Sequence, residues 1–317
     1  MTRGVRLPLN QTQKIRLRRA LQQLESLQSR STLNAAVTVA DTIPLNHEDS
    51  ILKGHGTSER GDEVVATLCG VVERVNKLVY IRSLRARYKP EVGDIVVGRV
   101  LEVAQKRWKL EINYSQDAVL MLSSMNLPDG IQRRRTALDE LNMRSMFEEN
   151  DVVCGEVRNF HGDGSLHLQA RSQKYGKLEK GQLVTVPPYL VKRQKQHFHH
   201  LIESGVDLII GCNGFIWVGE HADVRDNSIE DHTNNAEKSS NASEDIPVNT
   251  RQQICRIANA VRVLSTLGFN LTVEVILDTV ALSNSLGLDV GDMLGSEFYV
   301  SVAEKEAERR SSLPKKK

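Results

Sequence analysis

The chain has 317 residues, room for two or three domains of ordinary size. Hydrophobic residues make up 40% and glycines number 21, a globular composition that excludes a chain disordered throughout. Its 42 basic and 40 acidic residues leave +2, so any affinity for nucleic acid must come from where the charges sit.

Cys69, Cys154, Cys212 and Cys255 lie far apart, and no C-x-x-C pair is present, which argues against a zinc ribbon or a redox dithiol. Isolated thiols in a reducing compartment are expected. The longest apolar runs, such as Val119 to Leu122, fall far short of the ~18 residues that cross a bilayer. Residues 1–30 lack the apolar core of a secretory signal.

Residues 1–43 form a basic extension: positions 1–40 carry seven basic residues against Glu25 alone. Ile15, Leu17, Leu21, Leu24 and Leu27 fit a partly amphipathic helix. Three readings stay open: an arm that docks on a partner or RNA, a solvated extension, or an Arg-rich transit peptide.

From 44 to 90 a small β domain is expected, with short runs at Glu63–Ala66, Gly70–Val75 and Leu78–Ile81. It is too short for a large core of its own. Arg82, Arg85, Arg87 and Lys89 make either a cationic rim or a charged strand edge.

The segment 91–172 contains an echo: Asp94-Ile-Val-Val-Gly-Arg-Val100 matches Asp151-Val-Val-Cys-Gly-Glu-Val157. Runs at Lys109–Ile112, Ala118–Leu122 and Ser165–Ala170 bring the strand count to five, with a helix from about Thr136 to Phe147 after the third. That is the plan of an OB-type barrel, a platform for single-stranded nucleic acid. Lys106-Arg107-Trp108-Lys109 places an aromatic among three cations, so Trp108 is either a stacking platform or a core anchor. Arg133, Arg134 and Arg135 at a helix start oppose the macrodipole, so they either serve an acidic or anionic partner or form a solvated run.

An α+β domain is expected from 173 to 300, interrupted by an acidic insertion at 220–249. Positions 220–247 hold eight acids against Arg225 and Lys238, with few large apolar residues, so disorder is expected there, with His221 and His232 solvated. Thr250 and Gln253 have capping-box spacing ahead of the apolar face Ile254, Ile257, Ala258, Val261 and Leu264, which Gly268 ends. A second helix is expected over Val273–Leu286. Lys192, Arg193 and Lys195 join Lys106, Arg107, Trp108, Lys109, Arg133, Arg134 and Arg135 in the set expected to bind RNA.

Gly211-Cys212-Asn213-Gly214 has the G-x-x-G form of a KH backbone clamp. Its flanks are strand-like and Asn213-Gly214 suits a two-residue hairpin, so Gly211 and Gly214 are expected to be structural. His197, His199 and His200 have no acid at a familiar metal spacing and sit among basic residues, so no metal is expected. No P-loop, G-x-S-x-G or H-E-x-x-H motif is present, and no cofactor or small-molecule substrate is expected. A basic tail covers 301–317, where Arg309-Arg310 and Lys315 to Lys317 could serve as a nuclear address.

In order along the chain stand Gly54-His-Gly-Thr57, Gly70 to Val79, Glu91 to Arg99, Lys106 to Lys109, Leu122 to Pro128, Lys174 to Leu178, Leu190 to Lys195 and Gly211 to Trp217. These blocks resemble the S1/KH cap subunit of the eukaryotic RNA exosome, the ribosomal-RNA-processing cap protein, over about residues 44–300. Ser58 follows the first block where relatives often carry Tyr, and the acidic stretch lies beyond the family core.

The resemblance implies a multidomain β and α+β chain: a small N-terminal β domain, a five-stranded S1 barrel of OB type and a KH-like α+β domain. It implies a non-catalytic subunit that sits on a ring of RNase-PH-like subunits beside other cap subunits and guides single-stranded RNA to the channel. Processing and decay of ribosomal and other RNAs, in nucleus, nucleolus and cytoplasm, would follow. A free-standing RNA-binding factor of ribosome maturation or translation, and an autonomous ribonuclease, are the alternatives; a membrane role is not expected.

Overall fold

The computed structural model describes residues 8–29, 36–44, 52–126, 134–221 and 247–312, apart from Asp62, Asn76, Leu84, Asp163, Arg193 and Glu203. Two compact units divide the described chain: residues 8–87 with 299–312, and residues 88–298.

The first unit starts with helix α1 (Gln11–Ser29), followed by β1 (Ala36–Val37) and β2 (Thr42–Ile43). Then come β3 (Leu52–Lys53), β4 (Thr57–Arg60), β5 (Glu63–Ala66), β6 (Gly70–Val75) and β7 (Leu78–Ser83). One sheet has the order β1-β6-β7-β3 and the other β2-β5-β4. Ile43, Ala66, Val79 and Ile81 form their small core. Residues 36–43 are thus integral strands of the β domain, where an extension was expected. Pairing decides this: Ala36 opposes Val71 and Thr42 opposes Val65. Gly70 is required at its place, since a Cβ there would stand 2.3 Å from the Arg82 carbonyl oxygen.

The second unit opens with the barrel: β8 (Ile95–Ala104), β9 (Arg107–Glu111), β10 (Ala118–Met125), helices α2 (Ala137–Leu141) and α3 (Met143–Met146), β11 (Val152–Phe160) and β12 (Leu166–Ala170). Strands pair in the order β8-β9-β10-β12-β11, and β11 returns to β8, which closes an OB-type barrel. The sequence echo acquires a physical meaning here, because β8 and β11 are antiparallel partners. Gly98 faces Val153 and Gly155 faces Val96. Val100 N donates to Asp151 O, and Val157 N to Asp94 O, so the two echo segments align end to end.

Alternation fills the barrel: Val96, Val100, Trp108, Leu110, Ile112, Leu120, Leu166 and Leu168 all point inward. Tyr88 joins this core and donates from its hydroxyl to buried Asp94 at 2.9 Å, so the barrel begins before residue 91. At its far end β13 (Gly176–Leu178) adds to β11, so the barrel sheet also continues past 172. Thr136 caps α2 through a capping box with Asp139.

The KH-like domain continues with β14 (Gly181–Thr185), β15 (Phe198–Leu201), β16 (Val206–Ile210), β17 (Phe215–Glu220), α4 (Val248–Leu267) and α5 (Val273–Ser285). Its antiparallel sheet has the order β14-β17-β16-β15, and α4 packs across β14, β17 and β16 with α5 alongside. Ile257, Ala258, Val261 and Leu264 of α4 are fully buried. The helix starts earlier than the expected cap: Pro247 is the N-cap residue and Thr250 lies inside. Gly268 ends it with φ of 76°, its N–H returning to Leu264 and Ser265 carbonyls.

The last helix, α6 (Ser296–Ser312), replaces most of the expected basic tail. Val302, Ala303 and Ala307 are buried, and Arg309 and Arg310 both bond buried Glu306. Within the first unit Arg16 of α1 forms a two-pronged bond to Glu304 of α6, at 2.8 and 2.6 Å. The N-terminal basic segment is therefore partly a packed helix, with Ala20 and Leu24 buried.

Candidate nucleic-acid interface

The outer surface of β9, β10 and β12 is the counterpart of the packed interior. Lys109 on β9 stands opposite Val119 on β10, Val119 opposite His167 on β12, and His167 opposite Asn159 on β11. Arg107 and Met121 form the next pair along β9 and β10. Since Trp108, Leu110, Leu120 and Leu168 face inward, these neighbours face out. His161, in the β11–β12 turn, packs on His167 with ring centroids 4.1 Å apart, and Phe160 beside it is 43% exposed. Cations, imidazoles and apolar side chains on one barrel face suit single-stranded nucleic acid. Phe160, His161 and His167 were not singled out from the sequence. The signal was the alternation Leu166-His167-Leu168-Gln169-Ala170, which assigns His167 to the outside.

Trp108 is not on that surface. It is fully buried, donates from Nε1 to the Phe147 carbonyl at 3.2 Å and meets the Phe147 ring edge-on at 5.1 Å. Its neighbours in sequence face solvent because the strand alternates, so the expected stacking platform is a core anchor. This corrects its assignment to RNA binding.

The expected cations differ in their surroundings. Arg107 is exposed, whereas Lys106 pairs with Glu140 of α2 at 3.1 Å and Lys109 with Glu102 at 2.6 Å. The Lys109 hydrogen bond and charge hold the Glu102 carboxyl below its ordinary range. Arg134 is exposed, but half-buried Arg135 donates to the carbonyls of Leu122 and Met125 and so ties the connection to β10. Lys192 and Lys195 are exposed. Arg133 and Arg193 lie outside the described residues, as do 222–246 and Lys315 to Lys317.

The glycine loop has a different setting from the clamp its spacing suggests. It joins β16 to β17, and all four of its residues are buried. Gly214 N donates to Gly211 O, and Gly214 has φ of 83°, so the turn is centred on Cys212-Asn213 with Gly214 as the left-handed residue after it. The expected two-residue Asn213-Gly214 turn is thereby corrected.

The loop plugs an opening in the barrel. β8 pairs with β9 only from Arg99 onward, which leaves the β9-side edge of Ile95 to Gly98 uncovered. Cys212 N donates to Ile95 O at 2.9 Å. Asn213 Nδ2 donates to the carbonyls of Val97 at 2.7 Å and Ile112 at 3.0 Å. Asn113 Nδ2 in turn donates to Asn213 O at 2.9 Å. Around this plug Val97 and Cys154 of the barrel pack with Ile209, Phe215 and Trp217 of the KH-like sheet. Burial pushes the Cys154 thiol up to about 12, which leaves it a packing group.

The histidine run is split by its strand. His197 is buried with Nδ1 on the Ile210 carbonyl at 2.7 Å, and burial lowers the pKa of half-buried His199. His200 instead meets Asp207 and His221; that bonded, half-buried His221 replaces the solvated residue expected.

Comparison with known proteins matches these domains. The model for "RRP4, S1 domain" covers residues 87–159, and a KH domain model covers residues 181–224; neither is a catalytic domain. The Exosome complex component RRP4 homolog of Arabidopsis thaliana is 66% identical over 319 residues, 99% of both chains. Exosome complex component RRP4 of Mus musculus is 44% identical over 80% of this chain and 83% of its own length. The Saccharomyces cerevisiae protein of that name is 34% identical over 79% of this chain and 77% of its own. A barrel sealed by a KH-type glycine loop, and relatives of this identity along the chain, place it in the exosome complex component RRP4 family.

Proposed function

We propose that this chain is a non-catalytic, RNA-binding cap subunit of an RNA exosome, which stabilises the ring of RNase-PH-like subunits and guides single-stranded RNA toward its channel. Cleavage belongs to associated nucleases, and the RNAs processed include ribosomal precursors. The observation that carries this reading is the outer barrel face bearing Arg107, His161 and His167. The KH glycine loop is buried, so on this reading RNA is attracted by the barrel surface and the exposed cations Arg107, Arg134, Lys192 and Lys195. A chain acting in ribosomal-RNA processing works in the nucleus and nucleolus, with a cytoplasmic share in general decay.

The test is a double charge reversal, Arg107→Glu with Arg134→Glu, in the assembled particle. Loss of two phosphate contacts should reduce the slope of log affinity against log salt by roughly 1.4, at ~0.7 per single-strand contact. Unchanged affinity and slope in an intact particle would remove this surface from the RNA path. Native mass of the chain from its own cells tests membership: a free species of 35.5 kDa would argue for a free-standing factor. Imaging of the tagged chain checks the compartments.

A further inference from the structure

A second cluster lies at the end of the KH-like sheet. His200 on β15 stands directly opposite Asp207 on β16, and Gly219 on β17 stands opposite Asp207 on the other side. Glycine puts no side chain over the carboxylate, and His221, two residues further on, takes that space. The His221 N–H donates to the Gly205 carbonyl at 3.1 Å, which fixes its backbone. His200 Nδ1 and His221 Nδ1 approach the same oxygen, Asp207 Oδ1, at 2.8 and 2.9 Å. The two rings have centroids 3.7 Å apart and planes tilted by 38° to each other. Among the described residues this is the one group of three metal-type donors, all within 4.8 Å of one another.

We propose that His200, Asp207 and His221 bind a late first-row divalent transition ion of the zinc class. Two imidazole nitrogens and one carboxylate oxygen are the donor set such ions take, while magnesium and calcium prefer oxygen alone. Three protein donors leave a fourth position for water, as in open tetrahedral sites. Donors at ~2.0–2.1 Å from a tetrahedral ion stand about 3.4 Å apart. Each of the two Nδ1–Oδ1 separations needs to open by about half an ångström, a small torsional change for side chains that are 39%, 30% and 34% exposed. Each ring ligates through the Nδ1 lone pair with its one proton on Nε2: a neutral ring moves its proton from Nδ1 to Nε2 through solvent with no net release, and only a ring protonated on both nitrogens gives one proton up. Because His200 to His221 spans three strands, the ion clamps the sheet end where the chain leaves β17.

The test uses the untagged full chain and cobalt(II), whose visible d–d absorption reports coordination. One equivalent should bind and be displaced by zinc. His200→Ala, Asp207→Asn and His221→Ala should each weaken binding ~10-fold or more, since even supporting groups act on that scale. His232→Ala should leave it unchanged. Circular dichroism confirms that each variant folds; exposed His200 is the safest position. No saturable cobalt spectrum in the parent chain, equal binding by the His200 and His221 variants, or loss on His232→Ala would overturn the proposal. In those cases the trio is a hydrogen-bonded cluster only.

Discussion

Asn213→Ala tests the plug between the KH-like loop and the barrel. The side chain is fully buried and donates to two main-chain carbonyls, Val97 at 2.7 Å and Ile112 at 3.0 Å. Its Oδ1 also faces the Val97 N–H at 3.4 Å, a weaker contact. Truncation leaves the two carbonyls without their donor. Each buried group left unpaired costs about 1–3 kcal/mol, and carbonyls fall at the lower end, so the sum is about 3 kcal/mol. At ~2–4 °C per kcal/mol for a unit of this size, the melting temperature should fall by roughly 6–12 °C. Asn213→Asp should be at least as harmful, because it removes both donors and buries a charge. Tryptophan fluorescence during urea unfolding is the natural assay, since Trp108 reports from the barrel core and Trp217 from the sheet that faces it. Both signals should shift to lower urea in the variant. A change within about 0.5 kcal/mol, the ordinary scatter of surface substitutions, would refute the plug. Weakened RNA binding at unchanged stability would favour a clamp instead.

Three further outcomes follow from named positions. Gly214→Ala should destabilise far more than Gly268→Ala: both have positive φ, but a Cβ on Gly214 would stand 2.3 Å from the Val186 carbonyl oxygen, while nothing lies within 4 Å at Gly268. Thermal melts should show about 1 kcal/mol for Gly268→Ala, the ordinary cost of a left-handed alanine, and several times that for Gly214→Ala; equal losses would contradict the steric argument. Trp108→Ala should cost ~3–5 kcal/mol in denaturant unfolding, as large buried aromatics do, without the sequence-tolerant loss of RNA affinity that a stacking platform would show once folding is matched. The third concerns acid. Burial raises the Glu306 carboxyl, but Arg309 and Arg310 win and hold it below its ordinary 4.5. Its folded value is depressed, so its contribution is complete above 4.5 and is lost as the pH falls below that value. Glu306→Gln should lower stability at neutral pH and flatten the acid limb of melting temperature against pH. An unchanged acid limb would count against the pairing.

The legible part of the fold was what alternation and end signals specify locally. The echo at Asp94–Val100 and Asp151–Val157 marked two strands, and closure made them partners across β8 and β11. Gly268 ended α4 where expected, because a left-handed cap is a local requirement. The errors came from contacts remote in sequence. Residues 36–43 read as an extension because nothing local shows that they pair with residues 64–71. The tail read as a basic segment that could serve as a nuclear address because nothing local shows that Arg309 and Arg310 pair with a buried Glu306. Trp108 among cations looked like a stacking site, and only the strand's orientation showed that it points inward.

Composition and pattern alone therefore determined a barrel with five strands, an α+β domain after it and basic residues on loops, since these depend on periods of two and 3.6 residues and on turn chemistry. Tertiary structure decided which of those residues are available. A glycine loop 116 positions from its partner on β8 became a seal for the barrel, because that strand edge was open and Asn213 carries donor and acceptor on one short side chain. His200, Asp207 and His221 became neighbours because strand register, which no local pattern encodes, set two of them opposite each other and left a glycine beside them.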